Sequence, residues 1–349
     1  MNGRDMAANA VIAKARAMYG KLLHISQYAE LARKQNLQEI ATYLKESTSY
    51  GAELEDVRGS IIYRQQLETI LRRHTLHQYT RIAPYAADIK NGVPAYILMD
   101  AEIEMILRCL KGIVTVRQEN FIADLPTFIQ PYVGFRILSL ANAHTVPQLI
   151  EILERTPYGL LLEKCAAKKE GLLYSNFAQA VYAWYFDTLM KRAHAYSKGK
   201  ARKDLEDLIA ARAESMNLCT VYRLKKFYQM PSEKIRGWLY PYRWRLSQKE
   251  TNLLVESENA GIFLERLLHT SYGPWIDTQD LFLEGQLGRA RQVQEEKMIH
   301  FSTDPHVIYT AFMLLCHTEM ENIIRVIEGV HYGMKPEKIE SLLSLGKKG

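Results

Sequence analysis

Thr48-Ser49-Tyr50-Gly51, Thr156-Pro157-Tyr158-Gly159 and Thr270-Ser271-Tyr272-Gly273 are three copies of one tetrapeptide, with tyrosines 108 and 114 residues apart. Random placement at this composition gives well under one copy, so the recurrence points to an internal repeat, which must be recognised before any fold is assigned. Each copy follows a short amphipathic stretch: Ile40 to Leu44, Leu149 to Leu153, and Phe263 to Leu268. A glycine just past a helix end supplies the left-handed conformation that residues with a Cβ resist. Tyr50-Gly51, Tyr158-Gly159 and Tyr272-Gly273 are therefore expected to be structural corners, each tyrosine packing back on the helix it ends.

A second element recurs in step with the first. Glu214-Ser215-Met216-Asn217-Leu218 and Glu319-Met320-Glu321-Asn322-Ile323 share Glu-x-x-Asn and an aliphatic residue, while Glu102 to Ile106 is a weaker copy with Met105 in the Asn place. The glutamates are 112 and 105 residues apart, and each follows its corner by about 50 residues. Two motifs in the same order at similar steps predict three homologous units of about 110 residues, over 1–118, 119–228 and 229–349. A Glu and an Asn at i and i+3 share one helix face. They are expected either to bond a neighbouring repeat's backbone, the favoured reading, or to line a shared central surface that docks a partner. Glu214, Asn217, Glu319, Asn322 and, beside them, Arg325 are the candidate partner-facing residues.

Helical spacing dominates the rest. Phe177, Val181, Trp184 and Tyr185 lie on one face, as do Ile308, Phe312 and Leu315, then Ile323, Ile324 and Ile327; Val57, Ile61, Leu67, Ile70 and Leu71 mark another. No strand alternation flanks a hairpin turn, and Asn91-Gly92 runs into Val93-Pro94 to open a helical segment. The class is all-α. With 48% hydrophobic and 24% charged residues the 349-residue chain has ample core material, and its net charge of +6 is modest for its length. No stretch reaches the ~20 apolar residues that span a bilayer; Val307 to Cys316 is too short, and no signal-peptide core follows the N-terminus.

The motifs of common chemistries are missing. There is no Gly-x-x-x-x-Gly-Lys-(Ser/Thr) phosphate loop, no His-Glu-x-x-His and no Gly-x-Ser-x-Gly elbow. His74 and His77 lack further ligands at metal spacing. Cys109, Cys165, Cys219 and Cys316 are scattered and read as buried small hydrophobes in a reducing compartment. Glu295-Glu296 and Glu319/Glu321 fall in helical sequence as solvated or ion-paired carboxylates. Catalytic residues, cofactors and metals are all expected to be none. The basic run Lys191 to Lys203 reads as an exposed loop between helices, and Gly346 to Gly349 as a frayed tail.

Tyr19-Gly20-Lys21-Leu22-Leu23, the three corners, Glu214 to Arg223 and Glu319 to Gly329 resemble the C subunit of the vacuolar/archaeal-type (V/A-type) rotary ATPases, the family of the eukaryotic V-ATPase d subunit. The resemblance spans essentially the whole chain, and Glu319 to Arg325 is its most specific part. It implies a funnel of three pseudo-three-fold helical units, peripheral at the cytoplasmic end of the membrane rotor ring. It also implies a cavity receiving the foot of the central shaft of D and F subunits. On this reading the chain is a non-catalytic connector that passes torque during ATP-driven proton or sodium transport, its positive charge suiting an acidic shaft foot or ring loop. A second reading stays open, a soluble helical adaptor that binds RNA through Lys191 to Lys203.

Overall fold

The computed structural model describes residues 3–55, 62–86, 92–115, 125–168, 172–278 and 282–345. No strand occurs among them. Among the described residues fifteen α-helices follow one another: α1 (Gly3–Tyr19), α2 (Ile25–Ala32), α3 (Leu37–Ser47), α4 (Arg64–Ile82), α5 (Tyr96–Thr115), α6 (Val146–Leu153), α7 (Pro157–Ala166), α8 (Tyr174–Tyr196), α9 (Gly199–Tyr228), α10 (Ser232–Arg236), α11 (Gln248–Val255), α12 (Ala260–Leu268), α13 (Leu283–Phe301), α14 (Pro305–His331) and α15 (Pro336–Ser341). Val57, Ile61, Asn91 and the tail Gly346 to Gly349, each given a role from the sequence, lie outside the described residues.

The short helices are begun by local chemistry. Asn36 accepts from the Glu39 N–H at the start of α3, Thr145 from the Gln148 N–H at the start of α6, and Asn259 from two N–H groups at the start of α12. Each cap satisfies donors that the first helical turn leaves without a partner. The long helices are set by packing. In α14, Val307, Ile308, Ala311, Phe312, Met313, Ile323, Val326 and Ile327 are completely buried. The apolar window Val307 to Cys316 is thus the first half of a central core helix, and no helix among the described residues is long and apolar enough to cross a membrane.

Six long helices close on themselves. α4 contacts α5, α5 contacts α8, α8 contacts α9, α9 contacts α13, α13 contacts α14, and α14 returns to α4. One apolar cluster runs from Val11 to Cys316 through all six. A second joins the two ends of the chain, packing Tyr28, Leu31, Ile40, Leu44 and Tyr50 on Ile323, Ile327, Ile339 and Leu343. A third seats α11, α12 and Tyr272 on α9 and α13.

The basic stretch Lys191 to Lys203 is not a loop. α8 runs to Tyr196 and α9 starts at Gly199, so only Ser197 and Lys198 lie between the two helices. Arg202 donates to the carbonyls of Ser197 (3.0 Å) and His194 (3.2 Å), covering orphan acceptors at the α8 C-terminus. Lys203 pairs with Asp207 at 2.8 Å. A run of cations reads as a loop when its intrahelical and capping partners are not considered.

Candidate docking cavity and its three joints

The corner tyrosines and the repeated glutamates, read separately from the sequence, meet in the structure. Tyr158 Oη donates to Glu102 Oε2 at 2.7 Å, Tyr272 Oη to Glu214 Oε1 at 2.7 Å, and Tyr50 Oη to Glu319 Oε1 at 2.9 Å. In two joints the tyrosine follows its glutamate by 56 and 58 residues; in the third it lies 269 residues before it, across the seam between the chain ends. Burial and the facing carboxylate push the phenols of Tyr50, Tyr158 and Tyr272 far above their ordinary value. They are donors at every physiological pH.

The same carboxylates accept backbone N–H groups. Glu214 takes those of Trp244 (2.9 Å), Arg245 (3.0 Å) and Leu246 (3.2 Å); Glu319 takes that of Leu23; Glu102 takes that of Gly134 at 3.4 Å. Three residues on, Asn217 exchanges two bonds with the Tyr240 peptide, both 2.8 Å, and Asn322 does so with Ser344 at 3.1 and 2.8 Å. Met105 fills the equivalent place beside Glu102 with a buried apolar side chain. Glu214, Asn217, Glu319 and Asn322 are therefore buried and fully engaged within the chain, and of the five candidate partner-facing residues Arg325 alone reaches the central cavity.

The sequence holds a third repeated element that equal spacing does not reveal. Pro131-Tyr-Val-Gly-Phe-Arg-Ile-Leu-Ser139 and Pro241-Tyr-Arg-Trp-Arg-Leu-Ser247 share Pro-Tyr, an aromatic-Arg-aliphatic step and a closing Ser. These are the segments whose N–H groups reach Glu102 and Glu214. They differ in length by two residues, which hides the match from a fixed-register comparison.

The corner glycines are not left-handed. Positive φ among the described glycines is confined to Gly199 and Gly333. A Cβ on Gly51 would lie 2.8 Å from the Lys45 carbonyl oxygen, and on Gly159 and Gly273 it would press still closer on the Leu153 and Leu268 carbonyl oxygens. Close approach to the preceding helix, not backbone handedness, excludes a side chain. Thr156 and Thr270 each donate to a carbonyl three residues back at 2.7 Å, holding the chain in that approach. At the second copy the corner also opens α7, with Thr156 as its cap.

His74 and His77 both face Glu53, at 3.0 and 3.4 Å, and the His74 ring packs on Tyr50 with centroids 4.0 Å apart. They belong to the interior around the first corner. No group of three or more potential metal ligands occurs among the described residues.

Inside the helix ring lies a cavity of about 830 Å³, to whose wall all six helices contribute. Its charged groups are five carboxylates, Asp100, Glu104, Glu284, Glu321 and Glu328, and five cations, Arg72, Arg108, Lys111, Arg212 and Arg325. Arg212 holds Asp100 at 2.6 Å and also donates to Tyr185 Oη at 2.6 Å. Arg325 meets Glu321 at 3.2 Å, Arg72 meets Glu104 at 2.5 Å, Arg64 reaches in to Glu328 at 2.7 Å, and Arg223 pairs with Glu284. Nearby His317, Arg325 and Arg291 hold Glu321 well below the usual carboxylate range despite its burial. Tyr174, Tyr332 and Met334 add exposed apolar surface to the wall.

A family model described as the ATP synthase (C/AC39) subunit matches residues 11–342 of the chain. The chain belongs to this family. It is similar to the C subunit of the A-type ATP synthase of Pyrococcus horikoshii, 23% identical over 342 residues that cover 95% of this chain and 88% of that protein. It is 22% identical to the A-type ATP synthase C subunit of a Desulfurococcus species, with the same coverage. The protein of that name from Methanosphaera stadtmanae is 23% identical over 268 residues, 75% of this chain and 65% of that one.

Two buried carboxyls are expected to make folding pH-dependent. Burial pushes Glu319 up to about 7 against the bonds from Leu23 N–H and Tyr50, and pushes Glu295 up to about 7 against Arg291, His317 and Arg212. A carboxyl whose folded value exceeds its ordinary 4.5 holds its proton more tightly in the folded chain. Its contribution favours folding below about pH 4.5 and is lost as pH rises towards 7. Urea unfolding is expected to show stability falling between about pH 4.5 and 7, by up to about 3 kcal/mol for each group. The variants E295Q and E319Q should each flatten that slope, and a slope unchanged in both would contradict the assignment.

Proposed function

We propose that the chain is a non-catalytic connector subunit of a V/A-type ATPase, joining the central shaft of D and F subunits to the membrane rotor ring. The observation that carries this reading is the cavity enclosed by six helices in a closed circle, in a member of the ATP synthase (C/AC39) subunit family. A closed circle of helices resists torsion because any twist must break packed contacts on several helices at once. The carboxylates of the cavity wall are engaged in ion pairs within the chain, which suits a rigid socket. The chemistry of ATP and of ion flow belongs, on this reading, to other subunits.

The three Glu–Tyr joints also support a repeat unit differently bounded from 1–118, 119–228 and 229–349. A pair of long helices followed by the loop and corner that bond its glutamate makes α4–α7 one unit and α8–α12 the next. The third is α13–α14 completed by the N-terminal segment through Tyr50. Three such units around an axis make the pseudo-three-fold funnel that the resemblance implies, at the cytoplasmic face of the membrane. The RNA-binding alternative rested on Lys191 to Lys203, and Arg202 and Lys203 of that run are engaged internally.

Association tests the connector reading. Affinity-tagged chain, expressed with its complex, is expected to copurify with ring and shaft subunits after mild detergent extraction. Recovery free of both would overturn the reading.

A further inference from the structure

The chain carries a net charge of +6, and exposed cations gather at one end of the helix ring. That end holds the links that join α4 to α5, α8 to α9 and α13 to α14. Contacts bring the three links together. Arg192, near the end of α8, donates to the Gly92 carbonyl ahead of α5 at 3.4 Å. On α1, Lys14 lies 4.2 Å over the Tyr85 ring just past α4. One turn away, Arg16 donates to the Ile299 (3.0 Å) and Ser302 (2.8 Å) carbonyls at the α13–α14 link. Asp204, in the second turn of α9, lies within the field of Asp304 and Lys297. Tyr174 and Tyr332, on the cavity wall, stand at the opposite helix ends.

Each link presents an aromatic side chain to solvent: Tyr85 is 47% exposed, Tyr196 45% and Phe301 76%. Beside them Arg81, Lys191, Lys198, Lys200 and Lys297 are exposed. Anions of this end are committed within the chain. Glu206 meets His194 at 2.9 Å, Asp207 meets Lys203 at 2.8 Å, and Asp304 accepts the His306 and Val307 N–H groups as the α14 cap. The charge this end offers outward is therefore positive.

Aromatic rings beside lysines and arginines suit an anionic lipid headgroup layer, where the rings sit at the apolar boundary and each cation strengthens binding about fivefold. The arrangement selects among anionic partners. A nucleic-acid strand is tracked by a continuous groove with stacking platforms. Three separate tips at one end of a ring define a plane instead, and three weak contacts on one rigid body reinforce one another through effective concentration. A bilayer surface is flat and fluid, so it meets all three without a matched shape.

We propose that this end of the chain binds an anionic lipid surface, with Tyr85, Tyr196 and Phe301 in the headgroup layer and Lys198, Lys200 and Lys297 against the anionic headgroups. The proposal goes beyond the connector reading, which needs protein contacts alone.

The test is flotation of the purified full chain with vesicles of phosphatidylcholine, alone or with about a third phosphatidylglycerol, in about 50 and about 500 mM salt. Binding is expected on the acidic vesicles at low salt, and at least about tenfold weaker binding on neutral vesicles or at high salt. K198Q/K200Q should bind at least about tenfold more weakly than the parent. K226Q/K234Q, which removes as many exposed charges at and beyond the far end of α9, should stay within about threefold. Y196A/F301A tests the rings, with an expected loss of at least about tenfold at low salt. All these side chains are exposed, so thermal unfolding by circular dichroism should match the parent and exclude misfolding as the cause. Equal losses in the two lysine pairs, equal binding to neutral vesicles, or full binding by Y196A/F301A overturns the proposal. So does tighter binding to single-stranded RNA than to acidic vesicles, or binding to purified ring subunits without binding to vesicles. Absence of vesicle binding overturns it too and leaves the connector reading standing, since copurification tests that reading separately.

Discussion

Replacing Glu214 with alanine is expected to destabilise the chain by about 3–5 kcal/mol, among the largest losses of any single substitution. The side chain is 2% exposed and accepts four bonds, from Tyr272 Oη and from the N–H groups of Trp244, Arg245 and Leu246. Removing it strands four donors, of which Tyr272 Oη and the Leu246 N–H lie in buried bonds. The same change at Glu102 should be milder, about 1–2 kcal/mol, because that carboxylate accepts Tyr158 and one N–H at 3.4 Å. Tyr272→Phe removes a single bond to a carboxylate and should cost about 1.5–3 kcal/mol. Urea denaturation monitored by circular dichroism ranks the three. Equal losses at Glu102 and Glu214 would mean that the bonded geometry does not set the strength of the joints.

Gly273→Ala is expected to cost about 2–3 kcal/mol, at the upper end for overpacking, because the new methyl group meets a main-chain oxygen that cannot rotate away. The Leu268 carbonyl is fixed at the end of α12, and the threonine bond to Leu267 keeps the corner against it. Gly273→Asn discriminates between causes. Asparagine tolerates a left-handed backbone, so it would rescue a corner that needed only positive φ. With close approach as the cause, asparagine fails at least as badly as alanine. Gly199 is the reverse case, with φ +54° and nothing near its missing Cβ, so Gly199→Ala should cost about 1 kcal/mol by strain alone. Equal tolerance of asparagine at 273 and 199 would refute the steric account.

The corners and the glutamates are legible in the sequence because each demands residue identity. Threonine, tyrosine and glycine each perform a separate task within four residues, so the pattern survives in one sequence without an alignment. Their union is not legible. A hydrogen bond between Tyr50 and Glu319 joins residues 269 apart, and no local periodicity reports which side chain a buried phenol meets. The commonest reason for a glycine after a helix is left-handed backbone, whereas distance to a carbonyl, which sequence does not encode directly, is the operative one at these corners. The basic run reads as a loop because its charge density outweighs the helical spacing of its neighbours. The cavity is hidden for a similar cause: α14 shows an apolar core on one side while His317, Glu321 and Arg325 mark a second surface on the other. Only the closing of α14 on α4 turns that surface inward.

On the connector reading proposed above, the Glu–Tyr joints would serve function through rigidity. Torque passes through a connector only if its units do not shear, and each joint ties a long ring helix to the segment that follows it or, at the seam, to the other end of the chain. The joint at Glu319 lies at that seam, beside the apolar packing of α14 on α4.

The central claim is mechanical coupling, and it is tested most directly by reconstituting the ATPase in vesicles with and without this chain, then measuring ATP hydrolysis and ion uptake together. With the chain present, both are expected to proceed. Without it, hydrolysis by the catalytic head should persist while ATP-driven ion uptake falls to background. Ion uptake undiminished in the absence of the chain, or ATP turnover by the isolated chain, would contradict the account.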